Sequence, residues 1–377
     1  MRRILPAALL AATLGSGVEA APIGQGNLLV YRVGTGSALT SAAQAVFLDE
    51  YTSSGSFVQS IAMPTAVSGS NKMLTASGTA TSEGELTISP NGQFIALTGY
   101  NAAAGTASVA GTASATVSRT VGIVNRSGAV DTSTSLNAFS ANNIRSAVTS
   151  DGNQIWLSGA NSGVLTTTVG STGTSFTAVA TTVANTRQLE IFGGQLHVST
   201  SSGSAVRVGA VGSGLPTTSG QSIVNLPGFP TTGSPYAFYM ADLSTGVAGL
   251  DTLYVADDGA GVTKYSFNGT NWSSKGTVGA AADSYRGLTG AVTGNGVQLF
   301  ATRKGGSAAA GGGELVSFLD ASGYDGTLVA PINLLAAAGA NTAFRGVVLV
   351  PVPEPGTWGM ILGGLGLLGL FAHRRRA

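Results

Sequence analysis

The stretch Asn91–Gly99, which reads NGQFIALTG, places a turn dipeptide directly before an apolar run that ends on a hydroxyl residue and a glycine. The same order of residue types returns 60 residues later at Asp151–Gly159, which reads DGNQIWLSG. Asn-Gly and Asp-Gly accept the positive φ angles of a tight turn, and a short apolar run after such a turn is typical of a buried strand. We interpret the two stretches as copies of one turn-and-strand unit.

Three looser copies of this unit follow along the chain. They are Gly193–Ser199, Asp251–Ala256 and Asn295–Thr302, which begin 42, 58 and 44 residues after the preceding copy. Propeller blades of four strands take about 40 to 50 residues each, and longer loops absorb an excess. The 326 residues from Gly26 to Pro351 therefore predict an all-β fold, a propeller of about seven blades, with six or eight also compatible.

Two further strands are expected at the ends of this body. Asn27–Val33 and Phe344–Val350 are both apolar runs, and terminal strands that share one blade would close the ring and protect its edges. The turn-and-strand repeats, and Leu253–Gly259 in particular, resemble segments of secreted bacterial β-propellers. The competing architecture is a β-solenoid, whose rungs would repeat every 20 to 25 residues or so; no such spacing is visible.

The composition excludes several classes of protein. Only 9% of the 377 residues are charged and 56 are glycine, which argues against a long charged helical bundle or coiled coil. The absence of cysteine removes disulfide frameworks, thiolate metal sites and cysteine nucleophiles. A hydrophobic fraction of 43% still supplies a core, so we expect a folded domain.

The N-terminus has the three parts of a secretory signal peptide. Arg2 and Arg3 form a basic start, Ile4–Leu14 is apolar, and Val18 and Ala20 put small residues where a signal peptidase reads. The apolar run is too short to span a bilayer. We therefore expect signal peptidase to remove residues 1–20, leaving a propeller domain over residues 22–350.

The C-terminus, residues 351–377, repeats this pattern in another order. An uncharged apolar run, Thr357–Ala372, is just long enough for a transmembrane helix at about 1.5 Å per residue, and Trp358 lies where an aromatic anchors at the interface. The run is followed by three basic residues that should stay in the cytoplasm: Arg374, Arg375 and Arg376.

The residues before this run are Pro353, Glu354 and Pro355. Together with the apolar span and the terminal arginines, they resemble a PEP-CTERM sorting signal. The resemblance implies a Gram-negative bacterium, recognition by an exosortase, and removal of the tail after transient anchoring in the inner membrane. It also implies release toward the cell surface or the exopolysaccharide matrix. A plain C-terminal membrane anchor is the alternative.

Processing at both ends would also change the charge of the protein. It would remove five arginines and one glutamate, and the formal net charge would change from +1 to −3. Binding to nucleic acid depends on basic side chains that neutralise phosphates. We therefore expect no nucleic-acid partner.

Catalytic and metal-binding groups are scarce in the mature sequence. His197 would be its one histidine, it alternates with apolar neighbours on a strand, and no GxSxG motif accompanies it. Zinc sites commonly use several His or Cys ligands. We expect no metal, no cofactor and no catalytic triad.

The carboxylates come in a few close groups. Glu83 and Glu85 would share one face of a strand, a pattern that suits glycoside cleavage or calcium binding without specifying either. Asp49 and Asp257 lie at expected strand ends, and we predict that they reach the central channel.

These observations favour an exported, non-enzymatic propeller that acts as a matrix or binding component near exopolysaccharide. A propeller hydrolase or lyase acting on extracellular carbohydrate, with acidic residues near the axis, is the alternative. A β-solenoid adhesin is the second alternative.

Overall fold

The computed structural model describes residues 20–201, 203–303 and 312–352. Within these ranges the regular structure is almost entirely β, with two short 3₁₀ turns at Val109–Gly111 and Ala281–Asp283. None of the helices found there is long or apolar enough to cross a bilayer. The transmembrane helix predicted within residues 351–377 lies outside the described part of the chain.

In chain order the strands are β1 Leu28–Val33, β2 Ala43–Tyr51, β3 Phe57–Ala62, β4 Thr75–Ser77, β5 Thr87–Ile88, β6 Phe94–Tyr100, β7 Arg119–Asn125, β8 Val130–Leu136, β9 Ile144–Thr149, β10 Gln154–Gly159, β11 Val164–Thr168, β12 Thr172–Gly173 and β13 Thr177–Ala180. They continue as β14 Thr186–Phe192, β15 Gln195–Thr200, β16 Val208–Val211, β17 Ile223–Asn225, β18 Pro235–Ala241, β19 Thr252–Asp257, β20 Gly261–Phe267, β21 Trp272–Val278, β22 Gly287–Thr293, β23 Gly296–Arg303, β24 Glu314–Asp320, β25 Asn333–Ala337 and β26 Ala343–Leu349.

In the described ranges, these strands form six antiparallel groups of four, which we number as blades. With the innermost strand first, blades 1 to 6 are β26-β1-β2-β3, β5-β6-β7-β8, β9-β10-β11-β13, β14-β15-β16-β17, β18-β19-β20-β21 and β22-β23-β24-β25. Strand β4 pairs with both β2 and β6 and so joins blades 1 and 2 into one ten-stranded sheet, to which β12 adds an edge beside β8. The all-β propeller class predicted from the sequence is confirmed.

In the described part of the chain the blades number six, which is one fewer than the expected seven or so and within the range that the sequence left open. Segments without strands, such as residues 101–118 between β6 and β7, lengthen the blades beyond the unit of 40 to 50 residues. The antiparallel blades also exclude the β-solenoid, because stacked rungs would place parallel strands beside one another.

The ring is completed by the two terminal strands. Strand β26 pairs antiparallel with β1, with Val347 opposite Val30, so the last strand of the chain is the innermost strand of blade 1. The amide of Gly346 donates to the carbonyl of Gly84 in blade 2 at 2.9 Å. On its other side, the hydroxyl of Thr302 in blade 6 donates to the carbonyl of Arg345 in blade 1. Closure by the terminal strands is therefore confirmed.

The repeated unit seen in the sequence is the second strand of a blade. Its five copies contain β6, β10, β15, β19 and β23. Both faces of such a strand are buried, as β10 shows: Leu157 packs with Ile144 in the cluster between blades 2 and 3, whereas Trp156 packs with Leu189 between blades 3 and 4. Burial on both faces explains why the copies are continuous apolar runs rather than alternating ones.

Candidate functional site

Four arginines lie at the starts of innermost strands and face the propeller axis at one end. We call this set the arginine ring: Arg145 on β9, Arg187 on β14, Arg286 directly before β22, and Arg345 on β26. Tyr236, on β18, takes the corresponding place in blade 5.

Hydrogen bonds between blades place these residues at matching positions. A hydroxyl on the second strand of one blade donates to the backbone carbonyl of the residue in the next blade. The pairs are Ser158 with Arg187, Ser199 with Tyr236, and Thr302 with Arg345. The fold thus brings residues that are far apart in sequence to one end of the axis.

A cavity of about 300 Å³ lies at this end, where blades 6, 1 and 2 meet. Its charged lining includes Arg286 and Arg345 from the arginine ring, and Glu83 and Glu85 from the segment before β5. Phe344 supplies an apolar wall. The cavity therefore combines cationic, acidic and apolar groups within a space suited to a small ligand or to one unit of a polymer.

Glu85 interacts electrostatically with all four arginines of the ring. The side chain is buried, and its Oε2 has no hydrogen-bond partner within the described ranges. Burial raises the pKa of Glu85 to about 8, although Arg286, Arg187, Arg145 and Arg345 all act to lower it. Desolvation therefore outweighs four nearby cations and favours the protonated form of the carboxyl.

Glu83 is held by three hydrogen-bond donors. It accepts from the Ser77 amide at 3.0 Å, from the Tyr100 hydroxyl at 2.5 Å and from Asn143 Nδ2 at 2.5 Å. Burial raises its pKa, and these hydrogen bonds, together with Arg345, oppose that rise. The carboxyl group thus ties the segment before β5 to blades 2 and 3.

The arginines of the ring bind mainly neutral oxygen atoms. Arg345 donates to the carbonyls of the segment from Ser77 to Ala80, and Arg145 donates to Asn185 Oδ1 at 2.6 Å and to the Thr186 carbonyl at 3.0 Å. Arg187 binds the carbonyls of Ser234 and Pro235 at 3.1 and 2.9 Å. These contacts orient the guanidinium groups but do not neutralise them.

Among the described ion pairs, one includes a ring arginine: Arg286 binds Asp258 through two nitrogens, with a shortest distance of 3.0 Å. Four N–H groups of the ring find no hydrogen-bond partner in the described ranges: Nε of Arg145, Arg187 and Arg345, and Nη1 of Arg286. Buried donors without partners are rare in folded proteins. The Nε atoms of Arg119, Arg126 and Arg207, outside the ring, also lack partners in these ranges, but the donors of the ring lie together around Glu85.

Of the two acids predicted to reach the channel, Asp49 lies two strands away from the axis, and Asp257 lies on the second strand of blade 5. Asp49 lies on β2, the third strand of blade 1, where it binds Arg32 Nε at 2.5 Å and Ser60 Oγ at 2.6 Å. Asp257 ends β19 and accepts from the amides of Ser234 and Gly259 at 2.8 and 2.7 Å. Neither residue lines the cavity.

The acids of the cavity are instead Glu83 and Glu85, which the sequence had marked only as a pair on one face. Sequence reasoning missed the arginine ring altogether. The sequence did contain a signal, because Arg145 and Arg187 each lie six residues before a copy of the repeated unit.

The single histidine of the described chain is His197, and its Nδ1 has no hydrogen-bond partner among the described residues. His197 on β15 is buried, and burial lowers its pKa to about 4. It stands opposite Glu190 of β14, whose pKa burial raises to about 8 and whose Oε1 accepts from Gln188 Nε2 at 2.6 Å. Burial therefore favours the neutral form of both side chains. In residues 20–201, 203–303 and 312–352, no three His, Cys, Asp or Glu side chains converge to hold a metal.

Both ends of the described chain emerge at the face opposite the cavity. Residues 343–345 at the start of β26 line the cavity, and β26 then runs for about 20 Å before Val350. There the Gly26 amide donates to the Val350 carbonyl, and the Val350 amide donates to the Asn27 carbonyl, each at 2.9 Å. Of the residues assigned to the processing signals, Ala20 is described. The rest lie outside the described ranges: Val18, Pro353, Glu354, Pro355, Trp358, Arg374, Arg375 and Arg376.

Residues 351–376 match the family model of the PEP-CTERM protein-sorting motif. The chain therefore carries a PEP-CTERM motif, as its sequence suggested, and is an exported bacterial protein that an exosortase processes. The predicted sorting signal is confirmed. No curated protein matches the sequence.

Two solved structures are similar to parts of this chain. The WD40 β-propeller domain of Doa1 shares 14% identity at a TM-score of 0.33, over 59% of this chain and 64% of that one. The GH74 enzyme of Niastella koreensis shares 14% identity at a TM-score of 0.42, over 83% of this chain and 47% of that one. The chain thus spans less than two thirds of either protein, and similarity at this level says nothing about activity.

Proposed function

We propose that the mature protein is a non-enzymatic component of the extracellular matrix that binds exopolysaccharide through the cavity at the axis. The sorting motif supports release of the propeller outside the cell. The observation that carries the binding role is the cavity itself, whose N–H donors, buried acid and apolar wall match the polar and apolar faces of a sugar.

In this proposal the protein is anchored transiently in the inner membrane of a Gram-negative bacterium before it is released. The cavity and the chain ends lie on opposite faces of the propeller, which suits such anchoring, because a propeller tethered after Val352 would present the cavity away from the membrane. The binding site would then be accessible before and after removal of the tail.

A carbohydrate hydrolase is the second candidate, and one observation favours it. Glu83 and Glu85 both line the cavity, and a carboxyl with a pKa of about 8 is protonated and can act as a general acid. The partners of Glu83 weigh against this mechanism. Its two oxygens already accept three hydrogen bonds from the protein, so it is poorly placed to attack a sugar or activate water.

The test uses the mature protein and exopolysaccharide from the producing bacterium. Co-sedimentation with the polymer, without release of reducing ends or unsaturated products over a long incubation, is the expected result. The Glu85→Gln variant provides the control, since it removes the acid with little change in shape. Turnover by the native protein that this variant lacks would establish the hydrolase instead, and failure to co-sediment would overturn the binding role.

A further inference from the structure

We propose that the axial cavity is an anion site and that it selects acidic sugars, which carry a carboxylate, over neutral ones. This inference rests on the proposed function for its choice of a sugar as the ligand. The anion preference rests on the charges and unpaired donors of the cavity.

The guanidinium groups of the arginine ring outnumber their ion-pair partners among the described residues. Arg145, Arg187, Arg286 and Arg345 all act on Glu85, and burial lowers the pKa of Arg187 only to about 10, so it is charged at pH 7. Asp258 pairs with Arg286. Arg303, which also lines the cavity, is paired with Asp283 and Glu314. The other ring arginines, Arg145, Arg187 and Arg345, bind neutral carbonyl or amide oxygens and take part in none of the ion pairs among the described residues, so three guanidinium groups around Glu85 lack a directly paired carboxylate.

Two arginines of the cavity lining have hydrogen-bond donors without partners among the described residues. Arg345 is buried and Arg286 is about one fifth exposed, and each keeps an N–H without a partner among the described residues. Guanidinium groups form short, charge-assisted hydrogen bonds to carboxylates, often through two parallel N–H donors. A ligand carboxylate would satisfy these donors and pair with the guanidinium groups, whereas a sugar hydroxyl would leave those groups without a counter-ion.

Glu85 supplies a carboxyl group beside the same guanidinium groups. In its protonated form it is a neutral neighbour that can donate a hydrogen bond to a bound anion. In its ionised form, Glu85 competes with a bound anion for the same guanidinium groups. The groups that face it are Arg145 on β9, Arg187 and Glu190 on β14, Arg286 before β22, Arg345 on β26, and Glu83 on its own segment. Anion binding should therefore weaken as Glu85 ionises, between about pH 7 and pH 9.

The experiment is a calorimetric titration of the mature protein with galacturonate and with galactose, two probes of the same ring shape that differ in charge. At pH 6.5 and low salt, we expect galacturonate to bind at least about tenfold more tightly, and added salt to reduce the difference. Galactose 6-sulfate and inorganic phosphate distinguish recognition of an acidic sugar from recognition of any oxyanion. Equal binding of galacturonate and galactose would overturn the proposal, as would phosphate binding as tightly as galacturonate.

Three variants locate the site. Arg286→Gln should reduce galacturonate affinity at least about tenfold, and Arg286→Lys, which can keep an ion pair with Asp258, should show an intermediate loss. Lys275→Gln is the matched control, since it removes a cation paired with the exposed Asp325 outside the cavity. Glu85→Gln cannot ionise, so its affinity for galacturonate should stay constant from pH 6.5 to pH 9, whereas the affinity of the native protein falls over that range. Unchanged affinity in Arg286→Gln would contradict the assigned site.

The outcomes separate this inference from the function on which it rests. Exopolysaccharide binding that is insensitive to Arg286→Gln and shows no preference for acidic sugars would preserve the matrix role and refute the anion site. Tight, Arg286-dependent binding of galacturonate without binding of exopolysaccharide would preserve the anion site and refute the matrix role.

Discussion

The guanidinium carbon of Arg187 lies 3.5 Å from the ring centroid of Tyr236, which joins blade 4 to blade 5 through a cation–π contact. Arg286 of blade 6 approaches the same ring at 4.7 Å. One aromatic ring thus contacts two like-charged groups from its two neighbouring blades. An aromatic face attracts cations and here helps to offset their mutual repulsion.

The first prediction concerns this aromatic ring. Replacing Tyr236 with leucine keeps an apolar side chain but removes the π face, and should lower the free energy of unfolding by about 1 to 2 kcal/mol. Urea denaturation measures the loss. Tyr236→Phe is the control because it keeps the ring, and it should remain close to the native stability. Equal stability of the leucine and phenylalanine variants would contradict a cation–π contribution.

The second prediction concerns closure of the ring by β26. Val347 is buried opposite Val30, so Val347→Asp places a charge without a partner inside blade 1 and should prevent stable folding or cost several kcal/mol. Val329→Asp, at a position that is 83% exposed, is the matched control and should change stability by less than about 0.5 kcal/mol. Limited proteolysis and thermal unfolding compare the two. Similar behaviour of both variants would argue that the propeller does not need its terminal strand.

The third prediction is a dependence of stability on pH through Glu190. Burial raises the pKa of this carboxyl from 4.5 to about 8, so the folded state holds a proton that the unfolded state has lost between these values. Each pH unit in that window should therefore lower the free energy of unfolding, by up to about 1.4 kcal/mol for this group.

Glu190→Gln should reduce this decline between pH 4.5 and pH 8 and leave the variant relatively more stable at pH 8. Urea titrations at several pH values measure the slope. Asp325→Asn, at an exposed ion pair, is the control and should keep the native slope. An unchanged slope in Glu190→Gln would show that the carboxyl does not retain its proton in the folded protein.

The fourth prediction concerns the sorting motif. Replacing Pro353, Glu354 and Pro355 together with alanine in the producing bacterium should leave the protein in the membrane fraction with its terminal arginines still attached. Intact-mass analysis of native protein from the medium should instead show that they have been removed. Lys275→Gln, within the propeller, is the control and should be released normally. Release of the alanine variant without its tail would contradict exosortase recognition of these residues.

Local sequence patterns were enough to predict the fold class. A turn dipeptide followed by an apolar strand, as at Asn91–Gly99, depends on backbone conformations that adjacent residues set by themselves. The number of blades was harder to predict from the sequence, since residues 101–118 lengthen blade 2 without adding a strand to the repeat. The motif at the C-terminus could be read directly, because a peptidase recognises it as a short linear segment.

The sequence by itself determined that this protein is exported, β-rich and built from repeats, because each of these properties depends on residues that are neighbours in the chain. Only the tertiary structure decided where its charges meet. Glu85 and Arg345 are 260 residues apart in sequence, yet closure of blade 1 by β26 brings them to one cavity. The sequence predicted that Asp49 reaches the central channel, but β2 lies two strands away from the axis. The strength of charge interactions depends on distance and burial in space, and the order of residues along the chain fixes neither.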